Sequence, residues 1–328
     1  MRFINHQSSV TNPDLYLDET RTPVPGPEEI LIEVRAFGLN RADLLQRQGK
    51  YPPPRGASEI LGLECSGVVR DLGSMVRSWK IGDEVCGLVD GGAYAEYCCI
   101  DEGMAWRKSP VLSWEESAAM PEAYLTAYQA LFELMDVTAM KYILIHAAAS
   151  GVGTAAIHLM KGLSVQKWGT ASANKLSYCI DQGYERMIDY REESFREKIY
   201  EWTYHRGVDG IVDFVGGPYF EDNIWSLGMD GKLVMLGLLG GVKIKDINIL
   251  PIVARRLSIL GSTLRSRTRA YKRSIVAGFI ERFGPRLSTG SLRPVVYAQL
   301  DWTEINRAHN LMASNQNCGK IVLTIPSK

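Results

Sequence analysis

The chain carries no excess of either charge: 37 basic and 37 acidic side chains balance over 328 residues. Binding of nucleic acid by bulk electrostatics takes a clear basic excess, so that class is disfavoured from the start. A long hydrophobic run is missing too. The longest mostly apolar stretch, Leu233 to Val242, contains three glycines and is about half of the ~20 residues a membrane-spanning helix needs. The opening Met1-Arg2-Phe3-Ile4-Asn5-His6 has none of the apolar core of a secretory signal. Cysteine is sparse, with six residues at 65, 86, 98, 99, 179 and 318 and no Cys-x-x-Cys pair. That spacing excludes a four-cysteine zinc lobe and predicts reduced thiols in the cytoplasm. Internal repeats and low-complexity tracts are absent.

What is present reads as a globular protein of about two domains. The first ~120 residues are β-rich by pattern. Glu29 to Ala36, Cys65 to Val69 and Ala93 to Ile100 suit strands, and Tyr51-Pro52-Pro53-Pro54 is a stiff loop. Ser113 is placed to cap a short helix from Trp114 to Met120, and a second helix is predicted from Pro121 to about Met135. From Lys141 the pattern alternates strand and helix, with strands at 142–146, 165–171, 187–190, 210–215, 232–236 and 257–261. That rhythm predicts an α/β fold with a doubly wound parallel sheet. A helix from Ala270 to Phe283, a β segment at 295–297, a helix from Trp302 to Ala313 and a strand from Lys320 to Ile325 follow. They leave the βα rhythm and are expected to fold back onto the β-rich first part.

Between the first strand of the alternating region and its helix stands Ala147-Ala148-Ala149-Ser150-Gly151-Val152-Gly153-Thr154-Ala155-Ala156. It contains Gly151-x-Gly153-x-x-Ala156, the G-x-G-x-x-A dinucleotide fingerprint. Small residues there let backbone N–H groups approach a pyrophosphate and let helix pack on strand, while the helix N-terminus faces the phosphates. A site for NAD usually places an acid at the end of the second strand to bind the ribose 2′-hydroxyl. From Thr154 to Ile180 there is no acidic residue. The second strand ends in Gly169-Thr170-Ala171-Ser172, with Lys175 following. A hydroxyl and an ammonium there suit a 2′-phosphate, so the expected cofactor is NADPH.

A β-rich domain next to a dinucleotide domain resembles the medium-chain dehydrogenase/reductase architecture. Many of its alcohol-oxidising members hold a catalytic zinc with Cys and His and a carboxylate nearby. Here the corresponding segments read Leu39-Asn40-Arg41-Ala42-Asp43 and Gly62-Leu63-Glu64. Asn40 stands where a Cys is needed and Leu63 where a His is needed. Of the five histidines, His6 and His309 lie near the chain ends, His205 is in a polar loop, and His146 and His158 read as structural. No catalytic metal is expected.

Together these residues resemble the zinc-free quinone oxidoreductase family, the zeta-crystallin-like branch of the medium-chain dehydrogenase/reductases, and especially its stress-inducible NADPH quinone reductases. The likeness covers nearly the whole chain. It is carried by Asn40 to Pro54, Gly62-Leu63-Glu64, Leu125-Thr126-Ala127-Tyr128-Gln129-Ala130-Leu131, Ile145 to Gly153, Gly261-Ser262-Thr263-Leu264-Arg265 and Gly319-Lys320-Ile321-Val322-Leu323. The resemblance implies a discontinuous GroES-like catalytic domain at 1–122 and 266–328. A Rossmann domain for NADPH would occupy 123–265. It also implies reduction of quinones, a homodimer, and a cofactor cleft between the domains. Positions matching family cofactor contacts are Asn40, Thr126, Gly151, Val152, Gly153, Ser172, Lys175, Tyr190, Gly237, Leu238 and Asn317. One departure is Ala148, where many members have Gly, and an Ala there requires a negative φ.

The expected chemistry is hydride transfer to a quinone or activated alkene. A quinone has a low-lying acceptor orbital and needs no Lewis acid, but the charge developing on its oxygen needs a hydrogen-bond donor. Tyr51 is the first candidate donor, Asn40 a candidate to orient the nicotinamide end, and Arg265 a candidate to attract the oxyanion. Plain alternatives are an aromatic wall for Tyr51, a turn residue for Asn40 and a surface or dimer residue for Arg265. An NADPH-dependent enone or enoyl-thioester reductase shares this logic, with the cluster Arg265, Arg267, Arg269, Lys272 and Arg273 as a patch for a phosphate-bearing tail. A low-turnover NADPH-sensing or RNA-binding module is a third reading, which the zero net charge does not favour. The 258–263 strand is a candidate sheet edge for pairing two subunits.

Overall fold

A computed structural model describes residues 1–6, 14–244 and 246–326. The chain divides into two compact units, Met1–Leu125 with Leu264–Lys328, and Thr126–Thr263. The division falls inside the helix Pro121–Tyr128.

The first unit is built on a sheet in the order Val296–Asp301, Lys320–Thr324, Glu29–Leu39, Glu64–Leu72, Glu84–Leu88 and Ala105–Arg107, with Tyr97–Asp101 also pairing to Glu29–Leu39. Its first pair is parallel and the others antiparallel. Alternation explains the central strand: Ile30, Ile32 and Val34 are buried, and Phe37 and Leu39 continue the same core. The chain's last segments return to this core. Ile305, Ala308 and Met312 lie on one face of the helix Ile305–Ala313 and pack into it, as do Ile321 and Leu323. A two-stranded antiparallel hairpin, Arg2–His6 with Leu15–Glu19, adds Ile4 and Leu15.

The second unit is a six-stranded parallel sheet in the order Arg186–Asp189, Gln166–Ala171, Tyr142–Ile145, Val208–Asp213, Leu227–Met235 and Ser258–Gly261. This is the 3-2-1-4-5-6 order of doubly wound dinucleotide folds. Helices join the strands, so the central strands are covered on both faces and read as near-continuous apolar runs. Ile143, Leu144 and Ile145 are all fully buried. The helix Phe195–Trp202 is capped by Ser194, and its Phe195 and Ile199 meet Leu144 and Trp168. Ser258–Gly261 ends the sheet, the edge position expected for this segment. No helix among the described residues is long and apolar enough to cross a membrane.

Three local expectations shift. The helix begun at Pro121 does not run regularly to Met135; after Tyr128 the turns widen into π geometry over Gln129–Leu134. The buried Gln129 there accepts a hydrogen bond from Ser262 at 3.0 Å, a polar anchor that hydrophobic periodicity does not register. The helix expected at 270–283 extends over Arg269–Ser288, through Pro285, because Phe283 and Leu287 are four residues apart and both buried. Asn40 opens a helix, Arg41–Arg47, with Asp43 accepting the Asn40 backbone N–H at 2.8 Å.

Candidate active site

In the second unit the fingerprint forms the turn its composition calls for. Ser150 caps the helix Gly151–Leu159 by accepting from the Gly153 N–H at 3.0 Å. A Cβ added at Gly153 would lie 2.3 Å from the Ala148 carbonyl oxygen, so the close helix–strand approach admits only glycine. The left-handed residue of the turn is Ala147, at φ 48°, and Ala148 is not among the positive-φ residues. The Ala148 methyl is accommodated across the sheet by Gly169, where a Cβ would meet it at 2.7 Å. This preserved cradle fits a dinucleotide pyrophosphate.

Strand register gathers the other candidates of this unit along one sheet edge. Asp189 is aligned with Ala171, Ile145 with Gly169 and Val212, and Asp213 with Met235. The segments that leave those strand ends carry Gly151, Val152, Gly153, Ser172, Lys175, Tyr190, Gly237 and Leu238. Ser172 precedes the single turn Ala173–Lys175 and donates its hydroxyl to Asn174 at 2.7 Å rather than capping that turn. Tyr190 is 43% exposed and Leu238 49% exposed. His146 turns inward: burial lowers its pKa to about 4, and its ring nitrogens lie 3.0 Å from Thr170 Oγ1 and 2.7 Å from Asn223 Oδ1. Thr126 lies on the helix Pro121–Tyr128.

In the first unit a buried polar cluster surrounds Asn40. Lys320 Nζ donates to Glu64 Oε1 at 2.5 Å, Asn40 Oδ1 at 2.6 Å and Leu39 O at 2.9 Å. Asn40 Nδ2 donates to Glu64 Oε1 at 2.9 Å, and the Glu122 backbone N–H to Glu64 Oε2 at 2.8 Å. Glu64 is fully buried, and Gly38 makes room for it, since a Cβ there would be 2.2 Å from its carboxylate. An ammonium has three donors, and all three are used. Asn40 is held at both ends, which leaves one amide N–H to offer. Behind it, the buried Asp43 accepts from the Tyr94 hydroxyl at 3.1 Å, and burial pushes its pKa up to about 6. Asn317 donates to Gly319 O at 2.8 Å.

Tyr51 is partly buried, and the Arg265 guanidinium lies 5.4 Å from its ring centroid. Burial raises the Tyr51 pKa, with Glu122 adding to the rise and Arg265 opposing it. Its hydroxyl makes no hydrogen bond among the described residues. Arg265 is 4% exposed, not a surface residue. Its Nε and Nη2 reach Asp90 O at 2.9 and 2.6 Å, Nη2 also reaches Gln46 Oε1 at 2.8 Å, and Nη1 has no partner among the described residues. Sequence reading missed Glu122. Burial first, then the Glu64 and Asp43 carboxylates, push its pKa up to about 8, against the pull of Lys320 and Arg265. The segment Pro121-Glu122-Ala123 carries no local signal of that, because the neighbours responsible are distant in sequence.

The donor set does not suit a catalytic zinc. At the positions a metal would use stand an amide, an aliphatic chain and a carboxylate already bound to a buried ammonium. Among the described residues no three His, Cys, Asp or Glu side chains are grouped to hold a metal ion.

Residues 26–110 match the alcohol dehydrogenase GroES-like domain, and residues 182–323 match the family described as zinc-binding dehydrogenase. The chain is 30% identical over 317 residues to the human synaptic vesicle membrane protein VAT-1 homolog, covering 92% of this chain and 80% of that one. It is 30% identical over 315 residues to the zebrafish protein of that name, of which it spans 64%. Human quinone oxidoreductase is 27% identical over 311 residues, covering 92% and 91%. Among solved structures, a quinone oxidoreductase from Pseudomonas syringae superposes with a TM-score of 0.86 at 26% identity over 99% of both chains. A mycobacterial protein in complex with NADPH gives 0.87 at 26%, over 99% of this chain and 100% of that one. The enoyl reductase CurK gives 0.86 at 25%, over 99% of both.

Fold and site together define a nicotinamide-dependent oxidoreductase of the medium-chain dehydrogenase/reductase superfamily. Within that superfamily the chain belongs to the quinone oxidoreductase-like family.

Proposed function

We propose that this protein is an NADPH-dependent quinone reductase working without a metal. The observation that carries this reading is Lys320, whose ammonium engages Glu64 and Asn40 where zinc-dependent relatives need metal ligands. A substrate that accepts hydride without Lewis-acid help is therefore favoured, and similarity to quinone oxidoreductases from human and Pseudomonas supports a quinone. The nicotinamide, when bound, supplies the hydride. The chain's own residues would do the rest. Gly151, Val152 and Gly153 would present backbone N–H groups to the pyrophosphate. Ser172 and Lys175 would take the 2′-phosphate, with Tyr190, Gly237 and Leu238 along the same sheet edge and Thr126 and Asn317 as further contacts. Asn40 would direct its one spare N–H to the nicotinamide end. The Tyr51 hydroxyl, which has no hydrogen-bond partner among the described residues, would donate to the quinone oxygen, and Arg265 beside its ring favours the developing negative charge.

A second reading, an NADPH-dependent enone or enoyl-thioester reductase, is supported by the similarity to CurK enoyl reductase. NADPH oxidation with 1,2-naphthoquinone and with crotonyl-CoA, and NADH as control, separates the two. Faster turnover of the quinone with NADPH, lowered in Tyr51→Phe, is expected. Turnover of crotonyl-CoA alone favours the second reading. A preference for NADH, or Lys175→Ala leaving the NADPH preference intact, removes the cofactor assignment.

We further propose a homodimer paired through the edge strand Ser258–Gly261, preceded in the chain by the helix Leu250–Ala254, whose Leu250 and Val253 are exposed at 62% and 75%. The sparse cysteines, none assigned to a disulfide among the described residues, suit a cytoplasmic setting.

A further inference from the structure

The first unit contains a cavity of about 540 Å³ whose lining shares Arg265 with the candidate active site and none of the residues assigned above to the dinucleotide. Six cationic side chains line it: Arg21, Arg55, Arg265, Arg267, Arg269 and Lys272. Four of them belong to the basic run at 265–273 noted in the sequence, and Arg21 and Arg55 join it from elsewhere in the chain. The carboxylates on the same wall are Glu29, Asp90 and Asp101, and each is already engaged. Glu29 pairs with Arg269 at 2.9 Å, Asp90 with Lys272 at 2.5 Å, and Asp101 with Arg273 at 2.7 Å. Arg21, Arg55 and Arg267 have no ion-pair partner among the described residues. Arg265, 4% exposed, is part of the wall; its Nε and Nη2 are bound to Asp90 O and Gln46 Oε1, and its Nη1 is buried behind that wall with no partner among the described residues. A buried guanidinium nitrogen without an acceptor is costly. The helix Arg269–Ser288 begins on this wall, with Thr268 as its cap, and adds the positive end of its dipole. Ile60, Val89, Ile100 and Met104 give the cavity apolar surface as well.

The geometry points to a second anion site in this protein, for a phosphorylated small molecule whose phosphate lies at Arg55 and Arg267, with the Arg265 charge in the wall behind them. Planar guanidinium forks match phosphate oxygens in pairs, and Arg55 and Arg267, with no ion-pair partner among the described residues, suit a ligand of more than one negative charge. The volume lies in the range of small-molecule pockets, and the apolar wall accepts an organic body. Of the basic run at 265–273, the structure neutralises Arg269, Lys272 and Arg273 and leaves Arg267, joined instead by Arg21 and Arg55.

The test is calorimetric titration of the full chain with inorganic pyrophosphate, at low and at physiological salt. Arg55 and Arg267 are exposed, so the double variant R55Q/R267Q is expected to fold, checked by circular dichroism. It should lose roughly tenfold in affinity, and wild-type affinity should fall with salt. Lys175→Ala, in the other unit, should bind as wild type does. Absence of wild-type binding overturns the site, as does unchanged binding in R55Q/R267Q. Loss confined to Lys175→Ala assigns the binding to the proposed 2′-phosphate site and equally overturns it.

Discussion

Replacing Lys320 by methionine keeps an unbranched side chain, one atom shorter, and removes its charge. In the native unit that ammonium is 4% exposed and gives all three hydrogens to Glu64, Asn40 and Leu39. The substitution leaves Glu64 fully buried, with only the Asn40 amide and the Glu122 N–H for its carboxylate. Breaking a buried ion pair from one side costs about 3–5 kcal/mol, because the remaining charge has lost its compensation. For a domain of 150–250 residues that corresponds to roughly 6–20 °C in Tm. The partner variant Lys320→Met/Glu64→Gln removes both charges. Its amide still meets Asn40, so at least half of the lost stability should return. Urea unfolding followed by tryptophan fluorescence measures both, alongside calorimetric Tm. A single variant that loses less than about 1 kcal/mol refutes the reasoning, since a buried charge cannot be orphaned so cheaply. A double variant no more stable than the single one refutes it as well, because the damage would then lie in packing.

Three further outcomes follow from the same geometry. Gly153→Ala forces a methyl to 2.3 Å from the Ala148 carbonyl; backbone must shift at about 1–3 kcal/mol, and fluorescence titration should show weakened NADPH binding. Glu122 has a folded pKa raised to about 8, so the folded chain holds a proton the unfolded chain releases. The stability this gives is fully present below about pH 4.5 and is lost as pH rises through 8, by at most roughly 1.4 kcal/mol per unit. Melting curves of Glu122→Gln should be flatter than wild type over that window, and parallel curves would contradict the assignment. Leu250→Asp with Val253→Asp places charge on exposed apolar positions of the helix Leu250–Ala254; if the proposed dimer forms, light scattering should report a monomer for this variant and twice that mass for wild type, and a monomeric wild type would refute the proposal.

How much of this was legible in the sequence differs between the two units, and the reason is physical. A parallel sheet covered on both faces must bury continuous runs, so Tyr142–Ile145 and Val208–Asp213 stand out, and the phosphate turn is local by construction. Even the exception at Ala148 is resolved by one neighbour, Gly169, on the adjacent strand. In the first unit the chemistry is set by pairs far apart in the chain. Lys320 reads as the start of a strand in Gly-Lys-Ile-Val-Leu, yet its ammonium lands on a carboxylate 256 residues earlier. Glu122 reads as an ordinary first-turn acid, and burial first, with the Glu64 and Asp43 carboxylates adding to it, keeps its proton on. The basic run after Leu264 reads as one surface patch, but folding sorts it: Arg265 goes inside, Arg269 and Lys272 are paired off, and Arg267 stays available. Composition gives the sum of charges, and the sum here is zero. What a charge does depends on which partner the fold gives it, and Lys320→Met/Glu64→Gln tests that dependence without changing the sum.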